Sequence, residues 1–97
     1  MIEKIEQMEE MLNRCRAAVD RLQAALDAFR QVQPDLALLE AYYGSSEWFS
    51  HLAADERGAL PPGLRRGVLS QDALYDLLTD ADALRRQIDL TDEAENT

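Results

Sequence analysis

The stretch IEKIEQMEEMLNRCRAAVDRLQAALDAFRQV, residues 2–32, decides the fold of this chain. Its apolar residues recur at alternating spacings of three and four positions, a period that only a helix produces. They occupy heptad positions a and d without a break, as Ile5, Met8, Leu12, Cys15, Val19, Leu22, Leu26 and Phe29. We therefore predict one helix over about 2–32, roughly 45 Å long at 1.5 Å per residue.

The apolar stripe of this helix is wider than a bare coiled-coil seam. Met11, Ala18, Ala25 and Val32 extend it on one side, and a stripe of that width is typical of a helix packed in a globular bundle. Within it, Cys15 is predicted to be buried and to act as a small hydrophobic side chain, since a thiol in apolar surroundings is a poor nucleophile.

Pro34 interrupts the heptads and favours the start of a new helix, which we predict over 34–43 and which Gly44 would stop in a left-handed conformation. Ser45 or Ser46 is a suitable N-cap for a third helix over 46–56. Gly58 ends that helix and opens a loop rich in glycine and proline, 58–67.

Ser70 is a suitable N-cap for the last long helix, predicted over 71–90. Six apolar residues form the face expected to be buried: Leu74, Leu77, Leu78, Ala81, Leu84 and Ile88. The polar residues that follow predict a frayed tail over 91–97.

Together these elements predict an all-α protein, a small helical bundle in a single domain over 1–97. Two long helices would lie antiparallel, with two short helices and a loop at one end. The first helix is longer than a compact domain of this size is wide, because such a domain has a radius of gyration of about 13 Å. Its stripe is therefore covered either by the other helices or, in a homodimer along Ile5–Phe29, by a second copy.

Composition excludes several classes of protein. The 97 residues carry a formal net charge of −9, which argues against direct binding of nucleic acid or of an anionic membrane surface. One cysteine and one histidine cannot build a disulfide framework or a tetrahedral zinc site. The chain shows neither a signal-peptide pattern nor a long apolar run, so we expect a cytoplasmic protein without a cofactor.

We find no set of residues that predicts catalysis. His51 is flanked at helical spacing by Glu47 and Asp55, and such a row is more often a surface pairing than a metal site or a proton relay. No nucleophile–base–orienter set and no phosphate-binding loop is present. We therefore expect no catalytic, cofactor-binding or metal-binding residue, and a protein that is not an enzyme.

Acidic residues concentrate in the last helix, where Asp72, Asp76 and Asp80 repeat every four positions. Like charges at this spacing repel one another. In one alternative Asp72 complements the helix dipole and the other acids face solvent. In another, Arg65 and Arg66 fold back to pair with Asp76 or Asp80. In the third, the acids form an acidic surface for a basic partner.

Four of the aromatic residues lie within eight positions: Tyr42, Tyr43, Trp48 and Phe49. Aromatic residues on short helices usually close the end of a small core. If some are exposed beside Arg65 and Arg66, they would instead form an anchor patch of the kind that dominates protein interfaces.

Three stretches together resemble a family of short bacterial proteins known as domain of unknown function 4298. They are YYGSSEW (42–48), ADERGALP (54–61) and LRRGVLSQDALYDLLTD (64–80). The resemblance covers nearly the whole chain, and the last stretch is the most specific. It implies a bacterial, cytosolic, helical protein and brings no activity, cofactor or catalytic residue with it.

We expect a non-enzymatic protein–protein interaction module that binds another protein or a second copy of itself. Its predicted partner-binding residues lie at the aromatic end of the chain: Tyr42, Trp48, Arg65, Arg66, Tyr75 and Asp76. The alternative is an acidic inhibitor or immunity-type protein that masks a basic surface of its target, since residues 70–97 hold eight acids and two arginines.

Overall fold

A computed structural model describes the backbone of residues 1–96 and the side chains of residues 1–88. Its contacts divide the chain into two compact units, Met1–Pro34 and Asp35–Thr97, and each is described by itself. The described backbone contains no strand. It forms α1 (Ile2–Gln31), α2 (Gln33–Tyr42), α3 (Ser46–Glu56), a 3₁₀ turn (Gly67–Leu69) and α4 (Gln71–Asn96). The all-α prediction is confirmed.

The first unit is built on α1, whose exposed polar face carries pairs at helical spacing. The Arg16 guanidinium lies 3.1 Å from the Asp20 carboxylate, and Gln23 donates a hydrogen bond to Asp27. No residue of α1 is buried. The prediction of a buried Cys15 is therefore wrong, since its side chain is exposed. Periodicity identifies an apolar face, but burial depends on what covers that face.

The helix ends of the second unit follow from local chemistry. Gly44 and Gly58 adopt φ values of 75° and 70°, the left-handed region in which a Cβ is unfavourable. After α3 the chain closes a Schellman motif, in which the Ala59 N–H donates to the Ala54 carbonyl and the Gly58 N–H to the Asp55 carbonyl. Both glycines therefore end their helices as predicted.

Serine side chains begin the two later helices. The Trp48 N–H donates to the Ser45 hydroxyl oxygen over 3.1 Å, so Ser45 is the N-cap of α3. The Ser70 hydroxyl accepts a hydrogen bond from the Ala73 N–H in the first turn of α4. Each cap satisfies one of the backbone donors that a helix leaves free at its start.

The core of the second unit is small. Its buried apolar residues come from α2, α3 and α4: Leu36, Trp48, Leu74 and Ala81. The 3₁₀ turn contacts both α3 and α4. The indole N–H of Trp48 donates to the Val68 carbonyl over 2.9 Å, which joins α3 to this turn.

Helix α4 buries only part of its predicted apolar face. Leu74 and Ala81 are buried and Leu78 and Ile88 half-buried, whereas Leu77 and Leu84 are 45% and 48% exposed. The backbone of α4 continues to Asn96, past the end predicted at residue 90. The side chains of the frayed tail predicted over 91–97 fall outside the described residues. The antiparallel packing of the long helices and the single domain over 1–97 stay predictions.

Candidate functional site

An open apolar groove of about 360 Å³ lies within the second unit. Helix α2, the loop before the 3₁₀ turn, the turn itself and α4 contribute its lining residues, which are Leu39, Arg65, Gly67, Val68, Ala73, Leu74 and Leu77. Apart from Arg65, every lining side chain is apolar or absent. An open apolar concavity with one charged group is a surface suited to binding a ligand.

Arg65 is the charged group of this groove. Its side chain is exposed, and no acidic side chain within residues 1–88 forms an ion pair with it. A guanidinium presents up to five N–H donors in a planar fork that matches a carboxylate. The Arg65 guanidinium can therefore pair with an anionic group on this side of the groove.

Helical geometry sets what else lies along the groove. At 100° per residue, Ala73, Leu77 and Leu84 follow one flank of α4, next to the buried Leu74. Asp80 lies on the same flank, one turn beyond Leu77. The flank thus presents apolar side chains with a cation at the loop end and a carboxylate further along α4.

Trp48 does not lie on an accessible surface. It is 3% exposed, its ring stacks on Tyr43 with centroids 5.3 Å apart, and Phe49 meets it edge-on at 5.1 Å. The prediction that Trp48 contacts a partner is corrected accordingly, because the hydrogen bond to Val68 holds the indole inside the core. Phe49, at 57% exposed, is the accessible ring of this group.

Arg66 is held by an intramolecular ion pair. Its Nη1 lies 2.6 Å from Oδ1 of Asp55, and the contact is part-buried. This pair connects the loop to α3. The partner of Arg66 is thus Asp55, and the alternative in which Arg66 pairs with Asp76 or Asp80 is not observed. The partner-binding role of Arg66 stays a prediction.

Tyr42 is engaged as well. Its hydroxyl lies 2.8 Å from Nδ1 of His51, with ring centroids 5.8 Å apart. His51 therefore uses a phenol from α2 as its hydrogen-bond partner, and the expected row with Glu47 and Asp55 does not form, since Asp55 binds Arg66. Within residues 1–88 no group of three or more metal-ligating side chains occurs.

Tyr75 and Asp76 are exposed, but helical geometry separates them from the groove. Relative to Leu74, Tyr75 is rotated by about 100° away from Leu77. Asp76 lies on the side of Leu77 but about 160° from Leu74, beyond Asp80, and neither residue lines the groove. Of the six predicted partner-binding residues, only Arg65 therefore lines the groove.

Sequence reasoning missed the apolar lining of the site. Leu77 was assigned to a buried face, and neither Leu39 nor Val68 was predicted to belong to a site. One signal was available, because Leu77 and Leu84 repeat at a spacing of seven beside Leu74 and Ala81. The apolar face of α4 is therefore wider than the stripe that Leu74 and Ala81 bury.

The fold and the groove define the class: a small all-α protein that carries an open apolar groove with one arginine at its side. Within it, the chain belongs to the family described as domain of unknown function 4298, whose family model matches residues 5–89. The comparisons with curated proteins and with solved structures returned no match. In the part of the chain that the structure describes, no helix is both long and apolar enough to cross a bilayer.

Proposed function

We propose that this protein is a non-enzymatic protein–protein interaction module that uses the groove of its second unit. The observation that carries the proposal is the combination of an apolar lining with an arginine that has no partner among the described side chains. Leu77 and Val68 remain about half exposed there. Burying such side chains against a partner contributes about 25 cal/mol per Å² of apolar area.

The charges along the groove support an amphipathic helix of another protein as its binding partner. An amphipathic helix of another protein would lay its apolar stripe on Leu39, Val68 and Leu77. A carboxylate on that helix would pair with Arg65, and a basic residue further along would face Asp80. The net charge of −9 favours a partner that is not strongly acidic as a whole.

The experiment begins with helical peptides selected against the full chain from a library that holds an apolar stripe constant and varies the flanking charges. We expect selected peptides to place an acid opposite Arg65. Binding to ¹⁵N-labelled protein should shift the amide resonances of Val68, Ala73 and Leu77. Selected peptides whose shifts map elsewhere would contradict the proposal.

Matched variants separate the groove from the rest of the surface. Leu77→Asp should weaken binding at least tenfold. Leu38→Asp is its control and should leave binding unchanged, because Leu38 is 70% exposed and does not line the groove. Arg65→Glu should weaken binding similarly, with Arg14→Glu on α1 as its charge-matched control. A peptide whose acid is replaced by lysine should regain affinity for Arg65→Glu, and failure of this charge reversal would exclude the Arg65 pairing.

An acidic inhibitor that masks a basic surface is the second candidate. Its support is the exposed row of Asp72, Asp76 and Asp80 along α4. Such binding would weaken steeply as salt screens the charges and would survive Leu77→Asp. A complex that withstands high salt and is lost in Leu77→Asp would favour the groove.

A further inference from the structure

We propose that α1 forms a parallel, in-register, two-stranded coiled coil with a second copy of this chain. The surface is the full apolar stripe of α1, which comprises the eight a and d residues from Ile5 to Phe29 and the g residues Met11, Ala18, Ala25 and Val32. This surface lies in the first unit. Its width predicted packing in a bundle, but no residue of α1 is buried in the single chain, so we infer that a second copy covers it.

The stripe is accessible along its length. No residue of α1 is buried, and every stripe residue is exposed except Leu26 and Phe29, which are half-buried. In the middle of the helix Val19 is 53% and Leu22 62% exposed. Single apolar residues on a surface are ordinary, but an unbroken stripe over four heptads is typical of an interaction surface.

The area suits a stable dimer. The free-energy gain on burying an aliphatic side chain corresponds to roughly 60 Å² or more of apolar surface. Without Cys15 and the two alanines, the large stripe residues of two helices would therefore bury about 1,100 Å² or more in total, above the roughly 1,000 Å² that a specific interface needs.

Charge at the edges of the stripe favours the parallel orientation. In a parallel pair, each g residue faces the e residue five positions later on the other copy, which brings Lys4 opposite Glu9 of the second copy. The remaining g residues are Met11, Ala18 and Ala25, and they face Arg16, Gln23 and Arg30 of that copy. No like charges meet.

The antiparallel alternative pairs e residues with each other. Aligning Ile5 with Phe29 of the second copy places the two Arg16 side chains opposite one another across the dimer axis. Asp20 pairs with Arg16 on its own helix, which reduces this repulsion without removing it. Ile5 and Val19 at position a, with Leu22 at position d, also match the pattern that favours parallel two-stranded coiled coils.

The first test is the mass of the full chain in solution, measured by sedimentation equilibrium over a range of concentrations. We expect twice the 11.0 kDa of one chain. The double variant Val19→Lys/Leu22→Lys should be monomeric, whereas Ala17→Lys/Ala24→Lys, with the same charge change on the outer f face, should stay dimeric. A monomeric wild-type chain at all concentrations, or equal behaviour of the two variants, would overturn the proposal.

The second test measures orientation. A nitroxide label is attached at Ile2→Cys in a Cys15→Ser background, and the distance between the two labels is measured by pulsed electron paramagnetic resonance. Parallel helices with axes about 10 Å apart predict a distance below about 20 Å. An antiparallel pair would separate the labels by about 40 Å along the axis, and that result would overturn the parallel orientation.

Discussion

Trp48 organises the second unit through a single side chain. Its indole N–H reaches the Val68 carbonyl at 2.9 Å, and its ring contacts Tyr43 and Phe49. We expect Trp48→Phe to lower the free energy of unfolding by about 1–3 kcal/mol, because the part-buried hydrogen bond to the Val68 carbonyl is lost and the smaller ring leaves space in the core. Urea unfolding followed by circular dichroism measures this.

Phe49→Leu is the control for Trp48→Phe. The Phe49 side chain is 57% exposed and meets Trp48 edge-on, so shortening it should lower the free energy of unfolding by about 0.5 kcal/mol, through loss of that ring contact alone. Equal effects of the two substitutions would contradict the assignment of Trp48 as the core anchor.

The Asp55–Arg66 pair is the second contact with a measurable energy. Its 2.6 Å charge-assisted hydrogen bond is part-buried, so it lies between exposed pairs, worth about 0.2–1 kcal/mol, and hydrogen bonds to charged groups, worth about 1.5–3 kcal/mol. A double-mutant cycle with Asp55→Ala and Arg66→Ala should give a coupling energy of about 1–2 kcal/mol.

The control cycle uses Arg16 and Asp20, whose side chains form a similar 3.1 Å contact with about two thirds of each exposed. Its coupling energy should not exceed about 0.5 kcal/mol. If the two cycles gave the same value, Arg66 would not be held by the fold and would be free to meet a partner.

At the scale of the helices, the two left-handed glycines are the positions most sensitive to a Cβ. Nothing lies within 4 Å of a Cβ built at Gly44 or Gly58, so the cost of alanine there comes from the backbone alone. We expect Gly44→Ala and Gly58→Ala each to lower the free energy of unfolding by about 1–2 kcal/mol. Thermal or urea unfolding measures the change.

Gly63 is the matched control, because it has equal space and no positive φ. Gly63→Ala should leave stability unchanged or raise it by about 0.4–1 kcal/mol, since alanine restricts the unfolded chain. Destabilisation by Gly63→Ala as large as that at Gly44 would show that the positive φ of Gly44 is not the cause of its effect.

The helix ends that carry a local cap were predictable from the sequence, whereas the end of α4, predicted at residue 90, lies at Asn96. The observed α1 (Ile2–Gln31), α2 (Gln33–Tyr42) and α3 (Ser46–Glu56) lie within about one residue of the predicted 2–32, 34–43 and 46–56. Ser45, Gly44 and Gly58 determine those boundaries with partners fewer than six residues away.

The site was less predictable, because its residues meet through the path of the loop. Arg66 pairs with Asp55 across eleven positions, and Trp48 reaches Val68 across twenty. The helical period shows which residues share a face of one helix. It does not predict contacts between residues that the loop brings together. Arg65 was identified from its charge. Leu39, Val68 and Leu77 were not identified as site residues. An apolar residue in a helical stripe predicts burial, and the sequence does not show that such a residue stays partly exposed.

At the scale of the whole molecule, the two units differ in what stabilises them. The second unit has buried residues from three helices, whereas α1 has none. A helix of 30 residues without a buried residue depends on propensity and on pairs such as Arg16–Asp20, whereas most helical stability in proteins comes from packing of an apolar face. Burial of its stripe against a second copy would supply the missing stabilisation.

The stability of α1 should therefore depend on protein concentration, because dimer formation stabilises by mass action. On about a hundredfold dilution, the wild-type chain should lose part of its helical circular dichroism signal, and its thermal midpoint should fall by several degrees. Ala17→Lys/Ala24→Lys should behave in the same way. Val19→Lys/Leu22→Lys should start with the lower signal and show no dependence on concentration. A wild-type midpoint that does not move on dilution would mean that α1 is stable in the single chain, and the coiled coil would then have no energetic reason to form.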